Sequence, residues 1–219
     1  MYKNDNCTFC DKVRCPFLTV VTRCYKRPNS LKINVKSLKT QTDADYEQVF
    51  IVDKVGHGLA SADQALNKYK DINCGDYIMV LDDDDMITDP QFIEKLKVIK
   101  DAFSPDVIIW RGTFSSNTKT LPPKNAWWGV RPVKTQIGSF NYCMSYKLYH
   151  KYINVCKTGL TGDYDFINRV YHSEDKPVIK WIDEIFVSCQ ESSNGMAEAN
   201  DLYSTIRQNG TQRRVIRNR

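Results

Sequence analysis

The chain is first defined by what it lacks. It contains no run of about 18 apolar residues, so the sequence offers no membrane-spanning helix. The opening residues, Met1-Tyr2-Lys3-Asn4-Asp5-Asn6, include no apolar h-region and predict no signal peptide. That pattern predicts a cytoplasmic protein, whose thiols stay reduced. No Gly-x4-Gly-Lys-Ser/Thr sequence is present, which argues against a P-loop NTPase. Gly56-His57-Gly58-Leu59-Ala60-Ser61 follows an apolar run and opens a helical pattern. It lacks the third glycine of a dinucleotide fingerprint and follows the second strand, not the first, which argues against NAD binding. The aspartate run at 82–85 is not an EF-hand loop, because Met86, Ile87 and Ile93 stand at its fifth, sixth and twelfth positions.

What is present suits one soluble domain with a real core: 219 residues, 42% hydrophobic and 26% charged. The net charge of +5 is unevenly spread. Arg207, Arg213, Arg214, Arg217 and Arg219 equal the whole excess, so the body is near neutral and the basicity lies in residues 207–219. Such a tail either attracts phosphates, nucleic acid or an anionic membrane surface, or is simply a solvated terminus. Of the eight cysteines, Cys7, Cys10 and Cys15 have the spacing of half a zinc knuckle, with Cys24 nearby. They read either as a structural Zn2+ site or as reduced thiols on an N-terminal extension, residues 1–16.

Short β-branched or apolar runs predict strands at 17–22, 49–53, 77–81 and 107–110. Between them lie helical patterns. Pro28 suits a helix start, followed by Leu31, Val35 and Leu38. A second helix runs from Leu59 to Tyr69, and a third carries Phe92, Leu96 and Ile99. This alternation predicts an α/β domain with βαβ crossovers and a mainly parallel central sheet flanked by helices. Thr113 to Lys124 reads as an exposed loop. Asp163 to Val170 reads as a helix, 178–187 as two short strands around Asp183-Glu184, and Ala197 to Ile206 as a last helix. The texture changes near residue 111, dividing a domain over 17–206 into a nucleotide half (17–111) and an acceptor half (112–206).

The strongest chemical signal is Asp82-Asp83-Asp84-Asp85 at the end of the apolar run Tyr77-Ile78-Met79-Val80-Leu81. Strand geometry places Asp82 and Asp84 on one face. Clustered carboxylates repel one another, and a hard divalent ion with oxygen ligands relieves the repulsion. Open α/β sheets bind ligands outside the carboxyl ends of their strands, which is where this run falls.

The pieces also come in an order. Val20-Val21-Thr22-Arg23-Cys24-Tyr25-Lys26-Arg27-Pro28 precedes Ile51-Val52-Asp53, then Gly58-Leu59-Ala60-Ser61-Ala62, then the aspartate run, then Gly162-Asp163-Tyr164-Asp165-Phe166. In this order the chain resembles the family 2 glycosyltransferases with the GT-A, Rossmann-like fold, over about residues 17 to 190. The resemblance implies Mn2+ or Mg2+ and a nucleoside-diphosphate sugar donor, with uracil the expected base. It implies a donor site built from Thr22, Arg23, Tyr25 and Arg27 in the first loop and from Asp53 at the nucleobase. Asp84 becomes the principal metal ligand and Asp82 faces the ribose or a metal-bound water. Asp83 and Asp85 are then supporting or surface residues, and Asp83 is counted with the donor site.

Asp163 matches the expected general base of an inverting transfer, although Gly162 stands where the family has Glu. Asp165 is the fallback base, and Asp163 also suits a helix N-cap. His172 is either a further metal or phosphate contact or a structural residue. Trp127, Trp128 and Tyr142 form either a stacking platform for a sugar or base, or core. Glu191, Ser192 and Ser193 fall in a late loop placed to close over the donor.

The acceptor stays open among a saccharide, a lipid-linked intermediate, a protein and a hydroxylated base in DNA. Two other classes remain beside transfer. A sugar-1-phosphate nucleotidyltransferase needs a Gly-rich loop after the first strand, which is missing here. A non-catalytic nucleotide-sugar binding module is consistent with the missing Glu before Asp163.

Overall fold

The computed structural model describes residues 15–53, 55–56, 59–114, 119–155, 162–190 and 213–218. The chain runs through β1 (Leu18–Cys24), α1 (Pro28–Lys39), β2 (Tyr46–Asp53), α2 (Leu59–Lys68), β3 (Tyr77–Val80), β4 (Asp85–Ile87) and α3 (Phe92–Phe103). It continues through β5 (Val107–Phe114), β6 (Thr120–Leu121), β7 (Tyr142–Ser145), α4 (Tyr146–Tyr152), α5 (Gly162–Tyr171), β8 (Ile179–Cys189) and β9 (Arg213–Asn218). The strands form one sheet in the order β4-β8-β5-β7-β3-β1-β2-β9, with β6 paired to β5. Strand β1 is parallel to both β2 and β3, β2 to β9, and β5 to β8. The mainly parallel α/β architecture expected from the strand–helix alternation is therefore present.

Local chemistry accounts for the central elements. β1 carries four consecutive β-branched residues, Thr19 to Thr22, and is buried on both faces, as a strand flanked by parallel neighbours must be. In β3 the side chains alternate. Tyr77 and Met79 pack on the side of Leu38, Phe92, Ile93 and Leu96 from α1 and α3. Ile78 and Val80 pack on the side of Ala65, Leu66, Phe166, Ile167 and Val170 from α2 and α5. The sheet is thus covered on both faces, and its strands end together at one rim. Pro28 opens α1, whose Leu31, Val35 and Leu38 are buried as the spacing predicted. In α3, Phe92 stacks edge-on against Trp110 and Phe186, which fastens this helix to β5 and β8.

Several expectations are corrected. Strand β7 is antiparallel and lies between β3 and β5, so these two are not neighbours. The loop expected from Thr113 to Lys124 is in part sheet: β5 extends to Phe114, β6 pairs with it, and Leu121 and Pro122 are buried. The two short strands expected over 178–187 are one strand, β8. Its register slips between Trp181 and Ile185, so Asp183-Glu184 form a bulge and not a break. The basic stretch 207–219 is not simply an appendage, because Arg213–Asn218 form the edge strand beside β2. The helix expected over Ala197–Ile206, and the loop residues Glu191, Ser192 and Ser193, lie outside the described residues. No described helix is long and apolar enough to cross a membrane.

Candidate active site

The rim where β1, β2 and β3 end carries the first loop, the aspartate run and the start of α5. Past Leu81 the strand gives way to a turn, with the Asp85 N–H donating to the Asp82 carbonyl at 3.0 Å. The turn breaks the simple alternation of faces and separates the four carboxylates by role. One oxygen each from Asp82, Asp84 and Asp85 lie within 4.8 Å of one another. Asp83 turns the other way. It is 1% exposed, accepts the Tyr25 N–H at 2.8 Å and meets Arg27 Nη1 at 3.1 Å. Asp83 is therefore neither at the surface nor on the metal side. It ties the first loop to the aspartate turn, and burial pushes its carboxyl up to about 8.

Asn34 anchors this turn from beneath. It stands on the buried stripe of α1, and its Nδ2 donates to the carbonyls of Asp82 and Asp85, both at 2.9 Å. Its Oδ1 accepts from Gln48 Nε2 at 2.8 Å, and the same nitrogen donates to Thr22 Oγ1 at 2.9 Å. Thr22 is thus buried in this network and does not line the donor loop, a correction to its expected place. Asn34 belongs to none of the motifs that mark the site in the sequence. The available signal was a polar residue on an otherwise apolar helical stripe, which demands a buried partner.

Arg23 is the hub on the opposite side. Its Nε and Nη2 donate to the two oxygens of Asp82, each at 2.6 Å, while Nη1 donates to Asp63 of α2 at 2.5 Å. Its Nη2 also lies 3.9 Å from Asp163 Oδ1. Asp63 had no signal in the sequence, being one acid on a mixed helix. Arg27 is drawn to the cluster too: its Nη1 contacts Asp84 Oδ2 as well as Asp83.

Asp163 sits in the first turn of α5, where the helix dipole favours a carboxylate. Burial raises its pKa. Arg23 and hydrogen bonds from Ser139 oppose that rise, and the Asp82 charge adds to it. Tyr142 is buried under this turn, and its hydroxyl donates to the Asp163 carbonyl at 3.0 Å. Asp165 lies two residues on, roughly 200° around the helix, and so faces away from Asp163. Asp53 ends β2 and accepts the N–H groups of Val55 and Gly56, both at 3.0 Å. Gly56 has φ +88°, and a Cβ there would strike the Tyr25 ring, so that ring rests directly on the glycine backbone. Tyr25 and Asp53 therefore both meet the Gly56 backbone at the end of β2.

Other expected residues do not converge here. His172 follows the end of α5, roughly 13 Å of helix from Asp163, and its ring contacts the Asn168 carbonyl and Tyr171. Trp128 packs edge-on against Trp181, and Arg131 covers Trp127 at 4.0 Å. With Tyr142 buried beneath α5, the three rings form no shared platform. Cys24 is buried in a core patch with Leu31, Val35, Phe50 and Val52, so it supplies no fourth zinc ligand. Cys7 and Cys10 lie outside the described residues.

The residues present fit a divalent cation. Three carboxylates converge, and all their donors are oxygens, as Mg2+ and Mn2+ prefer. Oδ1 of the buried Asp85 has no hydrogen-bond partner. Asp85, expected as a supporting or surface residue, is thus part of the cluster. Burial raises the pKa of Asp84, with the Asp82 charge adding to it, and burial raises that of Asp85 further. A bound cation reverses such shifts.

The rim of the sheet thus carries a carboxylate cluster, with a helix-borne carboxylate, Asp163, beside it. No family model and no curated protein matches the sequence. Solved structures do match. S. aureus TarS superposes with a TM-score of 0.60 at 13% identity, over 87% of this chain and 38% of TarS. TarS 1-349 in complex with UDP-GlcNAc gives 0.59 at 13% identity, over 87% and 64%. The mannosyltransferase PcManGT from Pyrobaculum calidifontis, in complex with GDP-Man and Mn2+, gives 0.54 at 10% identity, over 82% and 57%. The chain spans less than two thirds of the length of each. The fold is the GT-A fold.

Proposed function

We propose that the chain is a metal-dependent glycosyltransferase, moving a sugar from a nucleoside-diphosphate sugar to an acceptor hydroxyl with inversion at the anomeric carbon. One observation carries the reading: the oxygen site of Asp82, Asp84 and Asp85 meets a separate carboxylate, Asp163, with Arg23 between them. One part suits a donor diphosphate and the other suits an attacking hydroxyl. The UDP-GlcNAc and GDP-Man of the two complexes support a nucleoside-diphosphate sugar, and the Mn2+ of one supports a divalent ion. Uracil as the base follows from the family resemblance.

In this reading Asp84, Asp82 and Asp85 hold the ion, which would stabilise the charge developing on the departing diphosphate. The chain's own residues do the rest. Tyr25 and Asp53, which both meet the Gly56 backbone, would flank the base. Arg23 orients Asp82 by two parallel hydrogen bonds and keeps Asp163 within reach of its charge. Asp163 takes the proton from the acceptor hydroxyl. Burial raises its pKa, which makes the carboxylate a stronger base than a solvated one. Asp165 faces elsewhere and has no part in the step.

Proton NMR of the sugar formed in the first minutes of donor turnover tests the inversion. An α-linked donor should yield the β-anomer first, and Asp163→Asn should lose turnover about 100-fold or more. Appearance of the α-anomer first would reject Asp163 as the base of an inverting step.

A further inference from the structure

Arg27, expected from the family resemblance to meet phosphate, is engaged by carboxylates in this structure. It lies on the metal side, with Nη1 against Asp84 Oδ2 and at 3.1 Å from Asp83 Oδ1. The side chain is only 28% exposed, and with the Asp83 carboxyl pushed up to about 8 its charge depends chiefly on Asp84 for compensation. Arg27 is also the N-cap residue of α1, whose first turn holds no acidic residue and whose cap makes no side-chain hydrogen bond. Pro28 at the first helical position has no N–H to satisfy. The helix end beside Arg27 is therefore positive and without an anion of its own.

These facts conflict with simple metal loading. A divalent ion and a guanidinium held against the one Asp84 carboxylate repel one another. The planar guanidinium also binds a diphosphate as readily as a carboxylate.

We propose that Arg27 is a displaceable internal counter-ion. Without metal it neutralises Asp84. When the divalent ion binds, Arg27 leaves Asp84 and turns to the donor diphosphate. Metal and nucleotide then bind with positive coupling, because each removes the obstacle to the other, and the coupling is reciprocal. Arg23 plays no such part. Its three hydrogen bonds to Asp82 and Asp63 fix it in place. The proposal rests on the donor-site reading given above.

The test uses the full chain, Mn2+ alone, UDP alone and the two together. Mn2+ binding is read by electron paramagnetic resonance and UDP binding by calorimetry. In the parent protein Mn2+ alone should bind weakly, and UDP should tighten it by about tenfold or more. Arg27→Gln should bind Mn2+ alone about tenfold more tightly than the parent, and UDP with Mn2+ about tenfold more weakly. Arg27→Lys keeps the charge and should bind Mn2+ alone as the parent does, which guards against a mere folding effect in the Gln variant. If Arg27→Gln binds Mn2+ alone no more tightly than the parent, the counter-ion proposal is overturned and the donor site stands. If neither Mn2+ nor UDP binds any of the proteins, the donor-site reading falls and takes the proposal with it.

Discussion

Arg23 and Asp82 face one another through two parallel hydrogen bonds of 2.6 Å, across a sequence separation of 59 residues. This pair joins the end of β1 to the end of β3. Through the third nitrogen of the guanidinium it also reaches Asp63 on α2. Removing the arginine leaves Asp82, Asp63 and Asp163 without their shared counter-charge. Breaking such a pair from one side costs about 3–5 kcal/mol. Urea unfolding of Arg23→Gln should show a loss of that order. A loss under about 1 kcal/mol would show that the pair is solvated and not structural.

Asp83 gives the metal-free protein an unusual pH dependence. Its folded pKa of about 8 lies above the unfolded value, so between about pH 4 and pH 8 the folded state holds more protons than the unfolded state. Stability therefore falls as pH rises through that window, and the contribution is constant below it and above it. Asp84, Asp85 and Asp163 shift in the same direction and add to the slope. Asp83→Asn still accepts the Tyr25 N–H and should flatten the slope by up to about 1.4 kcal/mol per pH unit. Denaturation midpoints in EDTA at several pH values measure it. Parallel curves for the two proteins would mean that Asp83 is ionised in the fold.

Asn34 supports the aspartate turn with two hydrogen bonds and receives a third. Asn34→Ala removes one of two donors to the Asp82 carbonyl, the side-chain donor to the Asp85 carbonyl and one of two acceptors of the Gln48 amide. The expected cost is about 2–3 kcal/mol of stability. Mn2+ affinity should fall too, since the turn that gathers Asp82, Asp84 and Asp85 loses its floor. Unchanged metal binding at reduced stability would separate the turn from the site.

Strand β9 covers the outer edge of β2 over six paired residues, Gln48 to Asp53. Ending the chain at residue 212 removes this strand and bares an apolar, parallel edge. Thermal unfolding should begin at lower temperature, and light scattering should show self-association. A truncated protein with the parent's melting point and solubility would mean that the basic stretch is not held by the sheet.

Much of this was legible in the sequence because it is local. The β-branched runs announce β1 to β3, and Pro28 with Leu31, Val35 and Leu38 announces α1. Four aspartates after an apolar run announce the rim of the sheet. What was not legible depends on residues far apart. Antiparallel β7 enters between β3 and β5 only because its register with both satisfies their edges, and no local pattern encodes that. Asp83 and Asp85 look equivalent in sequence, yet the turn after Leu81 sends one to the Tyr25 N–H and the other to the carboxylate cluster. The helical period alone argued against pairing Asp163 with Asp165. His172 stands past the end of α5, at the opposite end of that helix from Asp163, with its ring on the Asn168 carbonyl and Tyr171. Asn34 was readable in principle, as the one amide on a buried stripe.

The most direct measurement of the central claim is release of free nucleoside diphosphate from a panel of UDP-, GDP-, CDP- and TDP-sugars, with Mn2+ and with EDTA. The parent protein should release one diphosphate in the presence of Mn2+ and none in EDTA. Asp84→Asn should abolish that release while the protein keeps its circular dichroism spectrum. Release that persists in EDTA, or that survives Asp84→Asn unchanged, would contradict a donor site built on the aspartate run.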